Sequence, residues 1–237
     1  MSIAIPKGEP PSYNYAHFDL AHRTLDRLDG PEVGQPAPDF EAERLADGAR
    51  VWLSDFQGRI VVLETGSVTC PMYVGRIEPM AGLVDRFREA VFLVLYTREA
   101  HPGEHIGRHR DIEEKKHAAR LLVAEEHERR TLLVDDLAGT AHRAYGAMPN
   151  MIYILDRDGR VAFRGLWNDP PVVEQALRQV IDGREAVSPP PGFPTTPSPE
   201  GVRERVLRRA GHQAMEDLTR AFPERAAGTG PEPATTP

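Results

Sequence analysis

The chain of 237 residues carries one cysteine, Cys70, in the stretch GSVTCPMY. A thiol reacts as its thiolate, and an unperturbed cysteine titrates near about 8.5, so a nucleophilic Cys70 needs surroundings that favour the anion. Pro71 follows directly, and proline suits the first helical position, which would set the sulfur against the unpaired N–H groups and positive end of a helix start. The expectation is a partly exposed thiol with a depressed pKa. Ser67 and Thr69 could donate hydrogen bonds to the sulfur or to a substrate oxygen, or simply suit a tight turn. A second cluster lies in YTREAHPGEHIGRHRD, where Tyr96, Glu99 and His101 bring together an imidazole able to move a proton near neutrality and a carboxylate able to fix its orientation. Nucleophile, base and orienter would then all be present. His101, His105 and His109 are spaced by four, as zinc or nickel ligands on one helix face would be, but Pro102, Gly103 and Gly107 interrupt such a helix, and no metal site is expected.

The elements that must position these residues follow from hydrophobic patterning. FEAERL and ARVWLSDF read as short strands joined by a hairpin turn at Asp47-Gly48. RIVVLETG and VFLVLYT are buried strands, with EPMAGLVDRFREA a helix between them. Cys70 therefore falls in the loop at the C-terminal end of a strand, where open α/β sheets place their ligands, and Tyr96, Glu99 and His101 fall at the end of the neighbouring strand. A helix near RDIEEKKHAARLLVAEE, a strand TLLVD, a short helix AGTAHRAYG, a hairpin MIYILDRDGRVAF and a closing helix PPVVEQALRQVIDG complete the order β-α-β-α-β-β-α. This order predicts an α/β domain of thioredoxin-like fold, a central mixed sheet flanked by helices, over residues 34–184. In that fold the loop carries C-x-x-C; here Tyr73 stands at the second position, so attack is retained and self-resolution is lost. Met148-Pro149-Asn150 precedes the strand MIYIL, where thioredoxin-like folds carry a cis-proline, which would expose the Met148 backbone for substrate pairing.

Residues 1–33 read as an N-terminal extension whose HFDLAHRTLDRLDG forms a short helix closed by Gly30. Ten of the 22 prolines lie beyond residue 187, giving a proline-rich linker over 185–200 and a disordered tail over 223–237. Between them 201–222 has helical spacing of Val202, Val206, Leu207, Ala210, Met215 and Leu218, an accessory amphipathic helix. The formal charge of −7, from 29 Lys plus Arg against 36 Asp plus Glu, argues against a nucleic-acid partner. No apolar run approaches the roughly 20 residues that span a bilayer and no leader pattern opens the chain, so a cytoplasmic protein without membrane contact is expected.

GSVTCP, then FLVLYTREAHP, then HRDIEEKKHAARLL resembles the iodothyronine deiodinases, whose motifs are GSxTUPP with U selenocysteine, YIxEAHP, and a His-Arg pair before an acidic helix with AAR. The resemblance spans about residues 58–123; the opening VGQPAPDFEAERLADGARVWLSDFQGRIVVL is similar to peroxiredoxins and related redoxins. The resemblance implies a thiol-dependent oxidoreductase in which Cys70 matches the selenocysteine that attacks iodine, Ser67 and Thr69 its flanking hydroxyls, and Tyr96, Glu99 and His101 the proton-handling group. His109, with Arg110 beside it, matches a histidine that holds the phenolic or carboxylate end of the substrate; Met148 and Pro149 complete the expected substrate contacts. No cofactor is expected to be bound. The second thiol must come from outside, from glutathione, thioredoxin or a second protomer of a homodimer. The alternatives are a one-cysteine peroxiredoxin-like peroxidase, since Ser67-x-x-Cys70 fits S/T-x-x-C, and a redox-inactive thioredoxin-like binding module.

Overall fold

The computed structural model describes residues 13–20, 29–190, 192 and 194–223. The helix expected over 17–30 and the tail after residue 223 lie largely or wholly outside the described residues. Seven strands form one sheet: β1 Glu41–Arg44, β2 Arg50–Trp52, β3 Ile60–Gly66, β4 Ala90–Tyr96, β5 Thr131–Val134, β6 Ile152–Leu155 and β7 Val161–Gly165, in the order β2-β1-β5-β4-β3-β6-β7. The central strands β3, β4 and β5 are parallel, while β6 and β7 on one side and β1 and β2 on the other run antiparallel. The thioredoxin-like arrangement read from the sequence is the one present.

β3 is buried along its whole length, as its continuous apolar run requires for a strand covered on both faces. The period of two divides its side chains between two cores. Val61 and Leu63 pack with Leu93, Tyr145, Tyr153 and Leu155, whereas Ile60 and Val62 pack with Met80, Leu83, Phe92 and Leu177. A third apolar cluster sits at the C-terminal edge of the sheet, around Val68, Cys70, Tyr73, Tyr96, Ala119 and Leu122.

The helices are α1 Pro71–Val74, α2 Ile77–Arg86, α3 Ile112–Glu125, α4 Thr140–Ala144, α5 Pro170–Ile181, α6 Val202–Ala210 and α7 His212–Ala221. The helix expected after Cys70 is broken, since α1 stops at Gly75 and α2 restarts at Ile77. The C-terminal segment is likewise two helices and not one. Gly211 between them has φ +128°, a conformation that L side chains rarely adopt. The proline-rich segment is strapped to the domain. Asp169 accepts hydrogen bonds from the Thr195 and Thr196 side chains, and buried Arg76 donates to the carbonyl oxygens of Thr196 and Pro197. No helix among the described residues is long and apolar enough to cross a membrane.

Candidate active site

The loop after β3 and the loop after β4 are stitched together by hydroxyl and carboxylate contacts. The Thr97 N–H donates to the Gly66 carbonyl at 3.0 Å, Ala100 N–H to Ser67 Oγ at 3.1 Å, and His101 N–H to Thr69 Oγ1 at 3.2 Å. Glu99 is the hub. Its Oε2 accepts from the Thr69 N–H at 3.1 Å and from Thr69 Oγ1 at 2.5 Å, while its Oε1 accepts from the Tyr96 hydroxyl and lies 2.9 Å from His109 Nε2. Burial opposes ionisation of Glu99, but the hydrogen bonds and charge of His109, with those of Thr69 and Tyr96, outweigh it and hold the carboxyl below its ordinary value. Tyr96 is held as a phenol, its pKa raised by burial and then by the Glu99 charge. Thus the residue before Cys70 is bonded directly to a carboxylate shared by a phenol and an imidazole.

The imidazole on Glu99 is His109 and not His101, which corrects the expected pairing. The His101 ring turns away and packs on Phe18, with centroids 4.5 Å apart, and its Nδ1 is buried without a hydrogen-bond partner. Burial, reinforced by the Arg203 charge and opposed by Asp217, lowers its pKa to about 4. The loop geometry decides this. An irregular loop holding Pro102, Gly103 and Gly107 brings His109 back to Glu99, so the residue ten positions along makes the contact and the one two positions along does not. Asn14 fixes the His109 backbone from the N-terminal segment, donating from Nδ2 to its carbonyl at 2.6 Å and accepting its N–H at 3.3 Å. On its outer side His109 lines a groove of about 730 Å³ shared with His105, Arg108, His117 and Leu121, and Cys70 is not among the lining residues.

Cys70 is only 2% exposed. It caps α1, and the N–H groups of Met72 and Tyr73 face the sulfur as the sequence suggested, yet burial pushes the thiol up to about 12, with the charges of Glu64 and Glu99 adding to it. The expected exposed, low-pKa thiol is therefore not the state of this structure: desolvation of the anion exceeds what two backbone amides return. Gly66 is required beneath it, because a Cβ there would stand 2.4 Å from the Tyr73 ring.

Three further expectations are corrected. The structure has no cis peptide bond among the described residues, so Met148-Pro149 is trans, the form an X-Pro bond favours by about 0.5–1 kcal/mol. The Met148 carbonyl is not open for substrate, since it accepts from Thr65 Oγ1 at 3.0 Å and lies 2.7 Å from His142 Nε2. Arg110 does not enter the site; its guanidinium pairs with Glu114 on the surface. Among the described residues no group of three or more His, Cys, Asp or Glu side chains could hold a metal ion.

Sequence reading missed a second buried network on the other side of Cys70. Glu64, in the middle of β3, accepts from Asn150 Nδ2 at 2.6 Å, Asn168 Nδ2 at 2.7 Å and the Arg130 guanidinium. Arg130 also pairs with Glu128 at 2.6 Å, and Glu128 accepts the Tyr73 hydroxyl at 2.6 Å. Charge from Glu64 and Glu128 outweighs desolvation and holds Arg130 protonated. The signal was available: a glutamate inside a fully apolar strand must have partners.

A sheet of this order, with a lone thiol in the loop after β3, defines a thioredoxin-like protein whose site has one cysteine and a buried Tyr–Glu–His network. Solved structures share the fold: an uncharacterized conserved protein of Geobacillus kaustophilus has TM-score 0.56 at 19% identity, over 67% of this chain and 87% of that one. A protein described as a candidate thiol:disulfide interchange protein, DsbE, of Chlorobium tepidum has TM-score 0.51 at 20% identity, over 65% of this chain and 98% of that one. The profile of the iodothyronine deiodinase family matches residues 12–182, and the chain belongs to that family. Thyroxine 5-deiodinase of Sparus aurata is 31% identical over 153 residues, covering 60% of this chain and 57% of that protein. The human thyroxine 5-deiodinase is 32% identical over 154 residues, covering 60% and 50%. The chain thus spans little more than half the length of these relatives.

Proposed function

We propose that the protein is a thiol-dependent oxidoreductase that removes iodine reductively from an aromatic ring, with Cys70 as nucleophile. The observation that carries this reading is the bonding of Glu99 to Thr69, Tyr96 and His109 together, which ties a proton-handling network to the nucleophile's own loop. Its kinship with enzymes named thyroxine 5-deiodinase agrees with the same chemistry. In the reaction the sulfur takes the halogen as I⁺, the carbon–iodine bond pair stays on the ring carbon, and a proton supplied through His109 and Tyr96 completes the C–H bond. The Cys70 sulfenyl iodide then reacts with an external thiol such as glutathione or thioredoxin, releasing iodide and a proton and leaving a mixed disulfide. A second external thiol frees Cys70 and departs as disulfide.

The hydroxyls that a peroxidase would aim at peroxide are engaged internally, Ser67 by Ala100 and Thr69 by Glu99 and His101. The buried, high-pKa thiol is the observation that favours a redox-inactive binding module. Iodide release from an iodinated phenol with excess glutathione separates the readings. Activity is expected to vanish in Cys70→Ser and to fall by roughly 10²–10⁴-fold in His109→Gln, the range of positioned acid–base catalysis. No release by the wild type, or release indifferent to Cys70→Ser, overturns the proposal.

A further inference from the structure

Helix α6 lies over the Cys70 turn, and α7 packs on α6. Val206 of α6 is fully buried in the same apolar cluster as Val68, Cys70 and Tyr73, and α6 rests on α1. Val202 of the same helix, half-buried, packs against that cluster as well, and polar contacts add to these two. Arg209 donates to the Val68 carbonyl at 2.7 Å and pairs with Glu125 at 3.0 Å and Glu126 at 2.5 Å, and Arg205 also pairs with Glu126. The Ala210 carbonyl accepts the N–H groups of His105 and Ile106 at 2.9 and 3.2 Å. Glu104 caps α7 by accepting from the N–H groups of His212 and Gln213 at 2.6 and 2.9 Å.

The pair also carries a small core of its own. Leu207, Ala210, Ala214 and Leu218 pack together, with Met215, Phe18 and Phe222 against them, apart from the clusters of the sheet. It joins the domain through the strap that ends at Glu200. An element with its own core, joined to the rest by two valines and a set of polar latches, has the features of segments that open locally as units.

We propose that α6–α7 is a displaceable cap, and that Cys70 becomes reactive in a state in which the pair has left the Cys70–Val74 turn while the seven-stranded sheet stays folded. The closed cap keeps the sulfur out of water, and burial is the largest cause of its raised pKa. Opening returns solvent to the sulfur and clears the ground that Val206 occupies, so the same movement activates the thiol and admits an aryl group. The inference rests on Cys70 being the reacting atom, but accessibility is measured without any dehalogenation.

Because Cys70 is the only cysteine, its alkylation by excess iodoacetamide, followed by intact mass on the full chain, reports the open state alone. The expected result is a logarithmic rate that rises with urea, with a slope well below the m-value of global unfolding. Arg209→Ala removes the contacts to the Val68 carbonyl, Glu125 and Glu126 together and should raise the rate by at least roughly tenfold, the factor that even one lost charged hydrogen bond implies. A slope equal to that of global unfolding, or no dependence on urea, overturns the cap, as does an unchanged rate in Arg209→Ala. Should that variant fail to fold, the wild-type slope decides, together with Glu104→Gln, which weakens the α7 cap and is expected to accelerate labelling. Loss of iodide release with labelling as expected would count against the function alone.

Discussion

Glu99 is the residue on which the site's architecture rests most heavily, and its removal has a calculable consequence. In Glu99→Leu four groups lose their acceptor at once: the Thr69 N–H, the Thr69 and Tyr96 hydroxyls, and the His109 imidazole. All four belong to buried residues. An unsatisfied buried donor costs about 1–3 kcal/mol; with the hydroxyls and imidazole free to turn, a net loss of about 4 kcal/mol is expected. In Glu99→Gln the amide oxygen keeps the Thr69 donors but the negative charge is lost, so a loss of about 1.5–3 kcal/mol remains, that of a charged hydrogen bond. Urea unfolding monitored by fluorescence measures both, and for a chain of this size the larger loss corresponds to about 8–16 °C in Tm. The pH dependence is a second check. The folded carboxyl sits below its ordinary value, so its stabilisation is fully present above about pH 4.5 and disappears as pH falls through the folded value. Glu99→Gln should lack that component. A Glu99→Leu variant destabilised by less than about 1 kcal/mol would refute the view that this carboxylate holds the two loops together.

Arg130→Met is expected to cost about 3–5 kcal/mol, because it leaves the buried carboxylates of Glu64 and Glu128 without their shared cation; chemical denaturation measures it, and a change under about 1 kcal/mol would mean the network is not closed as described. His101 has a folded pKa of about 4 against an ordinary 6.5, so the unfolded state takes up the proton first and stability falls as pH drops from 6.5 to about 4. With the residue half-buried as a whole and its Nδ1 enclosed, about 1–3 kcal/mol is expected from it, and His101→Gln should flatten the slope of unfolding free energy against pH in that window; an unaltered slope would show that the ring is solvated.

The sequence by itself determined the sheet and which loops meet at its edge. Continuous apolar runs at 60–63 and 91–95 can only be buried strands, and Asp47-Gly48 and Asp158-Gly159 supply the left-handed residues that hairpin turns demand, Gly48 at φ +72° and Gly159 at φ +74°. Cys70, Ser67, Thr69, Tyr96 and Glu99 were legible because strand ends fix which loops share a sheet edge. The tertiary structure decided what spacing does not encode. His109 displaced His101 on Glu99 because the path of an irregular loop, broken by proline and glycine, is set by what it packs against. Arg130 reached Glu64 across strands far apart in sequence for the same reason. Exposure is the clearest instance. The amides at the start of α1 follow from Pro71, but the desolvation that outweighs them comes from an enclosure that includes Val206, more than a hundred residues away in the chain, and burial depends on every element that packs over a site.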